Sequence, residues 1–592
     1  MAEAIVSPGV FQRENDISFI NPAPVSVGAA IIGPTVKGPV EDPTVVTSYG
    51  SYQRLFGDVF DNGTSSRDEY FTSMAVKSYF DQGGNSVLVT RVVNTASGYA
   101  RAQSTHMSSS FADYGTGSAP FVLKTHGKGT IYNNNVNGKP YGSGSSYELS
   151  DGSLASGSQD NLRWEISNIN NAKGTFSLSI RRGDDNKNEK VILETFNNVS
   201  LDPNSTNYIE QLIGNQNRDI SGTSDRVITT GNYVNKSSYV YVSAVNRKTF
   251  NYLKPDGTTI NLDSEGRNFS GSLPIASSGS FHGGTGTKVA SGSLNLYNNI
   301  AGSTQGLAVG DYTNVITLLG NKDDYKFNII SAPGLAYGLT GHSTPLNSLD
   351  SLAKTRGDAI AVIDLVGYGA ANVAAVTTQA QSLNSSYAAS YWPWLQQSAA
   401  EGKNVWVPAS VHVPGVYAFT DNSTAPWFAP AGLVRGGLNV IQAERKLSRT
   451  QRDDLYAGNV NPIASFPSVS GPVVYGQKTL QKKASALDRV NVRRLLIELK
   501  EFIGNQANNL VFEQNTIATR NNFLASVNPF LESVVQRQGL FAFRVVMDDT
   551  NNTADVIDRN QLVGQIFIQP ARTAEFIVLD FVVEPTGATF GS

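Results

Sequence analysis

Residues 25–98 mix short apolar runs with helical spacing. The apolar stretch 25–32 reads as a strand ended by Gly33-Pro34. Ser48 is placed to cap a short helix running to Phe56. Across 68–80, Phe71, Met74, Ala75, Ser78 and Tyr79 recur at helical spacing, and Gly83-Gly84 stops the run. Residues 86–93 form a β-branched strand. The same rhythm returns after residue 315, with strands at 326–331, 358–365 and 404–407 and helices at 346–355 and 371–383. The run DAIAVIDL at 358–365 is nearly all apolar, as expected of a strand buried on both faces. Alternation of strand and helix predicts a parallel or mixed sheet. The two stretches are expected to complete one domain.

Between them, residues 99–314 change character. Gly, Ser, Asn and Thr dominate, with short alternating runs at 164–169, 175–181 and 238–242. Such a composition is also that of a disordered segment, but recurring aromatic and β-branched residues favour folded strands. The end of the chain is different again. In 487–503, Val492, Leu495, Leu496, Leu499, Phe502 and Ile503 share one helical face, with Arg493, Arg494 and Lys500 on a polar side. A second helix at 516–538 contains Pro529, expected to kink it, and closes at Gly539. Strands follow at 540–547, 562–568 and 575–583, the first two joined by DDTNNT at 548–553. No internal repeat is visible.

The resulting fold class is α+β or α/β and multidomain. Residues 1–20 form an N-terminal arm. Residues 21–98 and 315–480 make a discontinuous α/β core. Residues 99–314 are one or two inserted β-rich domains, and 481–592 form a helix-plus-sheet module with a terminal strand.

Composition narrows the function. The 592-residue chain is 40% hydrophobic but only 16% charged, with net charge −3; an average soluble protein is about 25% charged. A weakly charged surface repels its own copies little, which suits dense self-assembly. No basic domain argues for nucleic acid. There is no cysteine, so no disulfide, thiolate nucleophile or Cys-based metal site. Residues 1–10 lack the basic and apolar regions of a secretory signal. No apolar run reaches the ~18 residues of a membrane span. The expectation is therefore synthesis in a cytoplasm, without membrane insertion.

Catalytic patterns are weak. His106, His126, His282, His342 and His412 fall in no metal-ligand spacing. Gly283-Gly284-Thr285-Gly286-Thr287-Lys288 misses the phosphate-loop pattern, which needs Gly directly before Lys. The acidic pairs Asp323-Asp324, Asp453-Asp454 and Asp548-Asp549 sit where turns or helix starts are expected, although paired carboxylates can serve glycoside hydrolysis. Tyr391-Trp392-Pro393-Trp394 reads as a packed edge or subunit contact, with a glycan platform as the alternative. No cofactor is expected.

Several segments resemble one family in order and spacing: SPGVFQRE at 7–14, GAAIIGPTVKGP at 28–39, SYQRLFG at 51–57, WVPASVHVPGVYAFTD at 406–421 and APWFAPAGLVRGGL at 425–438. VNPIASFP at 460–467, VYGQKTLQ at 474–481, LDRVNVRRLL at 487–496, VVMDDTNNT at 545–553 and PARTAEFIVLDF at 570–581 continue the series. The pattern resembles contractile tail sheath proteins of myophages, closest to T4-like sheaths and related to pyocin and type VI secretion sheaths. It covers about residues 1–98 and 325–592.

The resemblance implies a structural subunit, not an enzyme. Six-fold rings would stack helically around a tail tube protein, ending at baseplate and tail terminator proteins, in a virion assembled in the host cytoplasm. It implies that the insertion faces outward and the terminal module inward. It also implies that both arms enter neighbouring copies, through Val10, Phe11, Gln12 and Arg13 at one end and Phe576, Ile577, Val578, Leu579 and Phe581 at the other. Arg493, Arg494 and Lys500 would then face the tube. A different class, a glycan-binding adhesin built on the insertion, is the alternative.

Physical chemistry agrees with the arms. Residues 10–20 are an extended segment with no sheet of their own, and 575–583 is an apolar strand at the chain's end. A strand left unpaired promotes aggregation, unless another copy's sheet receives it. Ten extended residues between Glu14 and Pro24 span roughly 33 Å, enough to bridge adjacent subunits.

Overall fold

The computed structural model describes residues 28–575 apart from 62–66, 95–97, 105–106, 108–118, 133–148, 150, 155–156, 287–294 and 468. Its centre is a six-stranded sheet in the order Ala388–Ala389, Ile360–Asp364, Ile329–Ala336, Ala29–Gly33, Val87–Arg91, Thr44–Val46. All neighbours are parallel except the last pair. Strands from either side of the insertion thus share one sheet, with Ala29 beside both Ile329 and Val87. The four inner strands are buried throughout, in keeping with the nearly all-apolar run read at 358–365.

Alternate residues feed two cores. Ala29, Ile31, Val87, Val89, Ile329 and Val362 pack with helices Phe71–Asp81 and Val413–Ser423. Ala30, Ile32, Leu88, Ile330, Ala361 and Ile363 pack on the other face with Ser343–Arg356 and Val373–Gln381. Ser48 caps Tyr49–Phe56, its Oγ accepting from Ser51 N at 3.2 Å. The helix expected from residue 68 begins instead at Phe71. Residues Arg67–Glu69 are drawn into an antiparallel pair with Val59–Asp61, which places Asp68 opposite Phe60.

The insertion is folded. Its seven-stranded antiparallel sheet runs Ile192–Ser200, Thr175–Arg182, Leu162–Asn170, Ser277–His282, Arg101–Ser104, Phe121–Lys128, Val240–Val245. Trp164, Phe176 and Phe121 are buried in its core, with Phe121 and Phe176 stacked at 5.6 Å. Polar bonds join it to the central sheet. Buried Arg91 donates through Nη1 to the carbonyls of Gly38 (2.8 Å) and Lys128 (3.0 Å), and Arg218 pairs with Asp42 at 2.9 Å.

Asp364 ends its strand inside the protein. Ser410 N donates to Oδ1 at 3.2 Å, and Ser410 Oγ donates to Oδ2. Burial disfavours the charged carboxylate and pushes its pKa up to about 7, against the opposing pull of the Ser410 donors. A carboxyl with a raised folded pKa stabilises fully below its unfolded pKa, and that stability is lost as pH rises to the folded value. Between about pH 4 and 7 the wild type therefore loses up to ~1.4 kcal/mol per pH unit relative to Asp364→Asn. Urea unfolding of both chains at pH 5 and pH 8 measures this. A stability difference independent of pH contradicts it.

The C-terminal module packs helices Val490–Asn508 and Ile517–Gln536 against each other, with Phe502 and Phe530 stacked at 3.7 Å. The second helix continues through Pro529. It ends with Gln538 in the left-handed region (φ 63°), Gln538 N donating to Val535 O and Gly539 N to Val534 O. Gly539 is needed for a different reason than a left-handed turn: a Cβ there would meet Val534 Cγ1 at 2.6 Å. The strands Leu540–Val546 and Gln565–Pro570 form an antiparallel pair, with the short helix Ala554–Asp558 between them.

Candidate assembly site in the C-terminal module

The hairpin Leu540–Val546 with Gln565–Pro570 is a two-stranded sheet, and among the described residues neither outer edge is paired. Its inner face carries Leu540, Phe543, Val545, Ile566 and Ile568, packed with the two helices. Its outer face leaves Phe541 70% and Phe567 54% exposed. A lone two-stranded hairpin is marginal in water, and open edges invite further strands. The fold thus presents backbone donors and acceptors in register, beside uncovered aromatic rings.

A second feature lies just past the hairpin, where Glu575 is held by three donors from the core and the module's first helical turn. Tyr456 Oη donates to Oε2 at 2.7 Å; Gln477 Nε2 (2.9 Å) and Arg489 Nε (2.8 Å) donate to Oε1. Gln477 Nε2 also reaches Thr573 Oγ1 at 2.8 Å. Burial pushes the Glu575 carboxyl up, but the bonds from Tyr456, Arg489 and Gln477 outweigh it and hold the group below the ordinary glutamate value. Burial, and then Glu575 itself, raise the Tyr456 phenol, which keeps its proton as donor. The chain's exit toward residue 576 is therefore fixed in position. At the other end, the Gly28 carbonyl accepts from Asn328 N and Ile329 N, at 3.2 and 3.1 Å, which anchors the start of the central strand. The strand residues expected from sequence, Val10, Phe11, Gln12, Arg13, Phe576, Ile577, Val578, Leu579 and Phe581, lie outside the described residues.

The basic face expected on the first helix is arranged differently. Arg493 and Arg494 are only 4% and 3% exposed. Arg493 donates to Ser386 O at 3.1 Å and stacks on Tyr387, 4.0 Å from its ring centre. Arg494 grips both oxygens of Asp421, at 2.6 and 2.5 Å, and lies over Tyr417 at 4.7 Å. Its partner is thus Asp421, on helix Val413–Ser423 of the core. Lys500 is exposed and reaches Tyr387 Oη at 3.3 Å. The two arginines bind the module to the core instead of lining a solvated surface. The signal for this was present: Val490, Val492, Leu495, Ile497 and Leu499 surround them on more than one face.

The other candidates disperse. His342 accepts from Ala336 N at Nδ1 and faces the Ala301 carbonyl at Nε2, 2.6 Å away. His412 Nδ1 meets Ser78 Oγ at 2.8 Å, and His126 Nε2 meets Ser237 O at 3.0 Å. Burial lowers the pKa of each, so all three are packed neutral rings. His282 lies on a strand of the insertion and His106 outside the described residues. No group of three His, Asp or Glu that could hold a metal ion occurs among the described residues. Tyr391, Trp392 and Trp394 are buried, which removes the aromatic platform.

Comparison with known proteins gives the following. Residues 305–480 match the phage tail sheath protein central domain, and 482–584 the phage tail sheath C-terminal domain. The chain is 41% identical over 191 residues to the tail sheath protein of Vibrio phage KVP40, and 42% identical over 188 residues to that of Enterobacteria phage T4. Each alignment covers 32% of this chain and 28% of the relative's length. A sheath tail protein from Listeria innocua shares the fold with a TM-score of 0.50 at 9% identity, over 93% of this chain and 96% of its own.

Proposed function

Because this chain belongs to the contractile tail sheath family, we propose that it is the structural subunit of a contractile phage tail sheath, polymerising as hexameric rings in a helical lattice around a tail tube protein. The observation that carries this reading is the half-finished sheet: two strands, two edges left unpaired among the described residues, and exposed Phe541 and Phe567. Terminal arms of neighbouring copies complete it by strand addition, a role suited to the strand-like sequences of 575–583 and 10–20. Each main-chain bond contributes about 1 kcal/mol net, so one added strand holds moderately and a lattice of them holds as a mesh.

Contraction then needs no nucleotide. Rigid subunits rotate and move outward, burying more surface between them, while the strand links act as hinges and the tube is driven through the host envelope. Baseplate and terminator proteins bound the polymer at its two ends. Assembly takes place in the host cytoplasm, and the finished sheath is part of the virion tail. The discontinuous core, the outer insertion and the inner terminal module are the units that move together.

A chain lacking residues 1–20 tests the arms. It is expected to fold with an unchanged melting temperature and to sediment as monomer where the full chain forms polymer. Normal polymer from the truncated chain contradicts the mesh.

A further inference from the structure

The loop joining the two helices of the terminal module carries an unusual residue. Phe512 is 100% exposed and sits at φ 73°, in the left-handed region that a bulky side chain rarely adopts. Val511 before it is 59% exposed, and Ile517, which opens the next helix, is 62% exposed. Strain at such a position persists where surrounding structure enforces it. Here the enforcing contacts are on the page. Asn515 Nδ2 donates to Gln561 O at 2.9 Å and reaches Asn552 Oδ1 at 3.4 Å. Asn552 in turn exchanges two bonds with Val563, both 2.9 Å, and Arg520 pairs with Asp549 at 2.8 Å. The loop is therefore tied to the turn end of the open hairpin, two residues from the start of Gln565–Pro570.

We propose that Phe512, with Val511 and Ile517, is a second docking contact for another copy of this chain, the copy whose strand adds to the hairpin edge. The inference rests on the strand-addition reading above. Three apolar side chains are far short of the roughly 1,200 Å² that a free-standing specific interface needs. They gain force only when the partner is already tethered nearby, because tethering raises its effective concentration. The strand-adding copy meets that condition, since the loop and the hairpin end are one rigid unit. A buried aromatic anchor beside a main-chain link then supplies the register that backbone pairing alone specifies weakly.

The test uses the full-length chain. Phe512→Ser is compared with wild type for the melting temperature of dispersed monomer and for the lowest concentration at which polymer sediments. Expected is an unchanged melting temperature and a concentration threshold raised about tenfold or more, with Phe512→Leu restoring most of the difference. An unchanged threshold overturns the proposal. A lowered monomer melting temperature also overturns it, because Phe512 then packs within its own chain. Unchanged self-assembly with lost co-sedimentation of an inner tube protein assigns the contact to the tube and overturns the second copy. A wild-type chain that never polymerises overturns the underlying assembly reading and this contact with it.

Discussion

Replacing Arg494 with Met is expected to destabilise the chain by about 2–4 kcal/mol, toward the cost of leaving one member of a buried ion pair alone, since Arg494 is buried and Asp421 is largely so. Asp421 is the member left behind. Burial already raises its carboxyl above the ordinary aspartate value, and Arg494 opposes that rise with charge and hydrogen bonds. The lost guanidinium also lies on Tyr417, whose Oη meets Tyr391 Oη at 2.6 Å in the core. The pair joins helix Val413–Ser423 to helix Val490–Asn508, so its loss loosens the terminal module from the core. Combining Arg494→Met with Asp421→Asn removes both charges and recovers part of the loss. Urea denaturation of the three variants measures the coupling. A single-variant cost under about 1 kcal/mol contradicts a buried pair.

Glu575→Ala gives the second large effect, and on assembly more than on folding. Its carboxylate takes donors from Tyr456, Gln477 and Arg489, and it is the last described residue before the terminal arm. Without it the arm's exit is free to wander, and the entropy of ordering it falls on the assembly step. The threshold concentration for polymer is expected to rise roughly tenfold, about 1.4 kcal/mol per link. Tyr456→Phe removes one donor of the three and moves the threshold in the same direction by less. Sedimentation against concentration reads both. An unchanged threshold for Glu575→Ala means that the clamp does not set the arm's direction.

Much of the central sheet was legible in the sequence. The run at 358–365 read as a doubly buried strand because it is nearly all apolar, that at 86–93 read as a strand from its β-branched residues, and Ser48 announced its helix through a side chain that bonds locally. Misreadings came where distant residues decide. Nothing local to Asp68 shows that Val59–Asp61 will pair with it and delay the helix. Arg493 and Arg494 looked like a solvated face because their partners, Ser386 and Asp421, lie 107 and 73 positions away. Glu575 was placed in a strand, while Tyr456 and Gln477, 119 and 98 positions earlier, gave no sign of gripping it. In the insertion, alternation marked three of the seven strands of its main sheet and could not order them. Leu162–Asn170 lies between its hairpin partner Thr175–Arg182 and the distant Ser277–His282. Strand addition was an expectation drawn from the arms, whereas a hairpin able to receive a strand came into view only with the structure, where neither outer edge is paired among the described residues.

The most direct test of strand-linked assembly is a helical reconstruction, by electron microscopy, of particles polymerised from the purified full-length chain. Hollow tubes whose subunits show Leu540–Val546 and Gln565–Pro570 extended by strands from other copies are the predicted result. Assembled particles in which that hairpin keeps two bare edges would contradict the account.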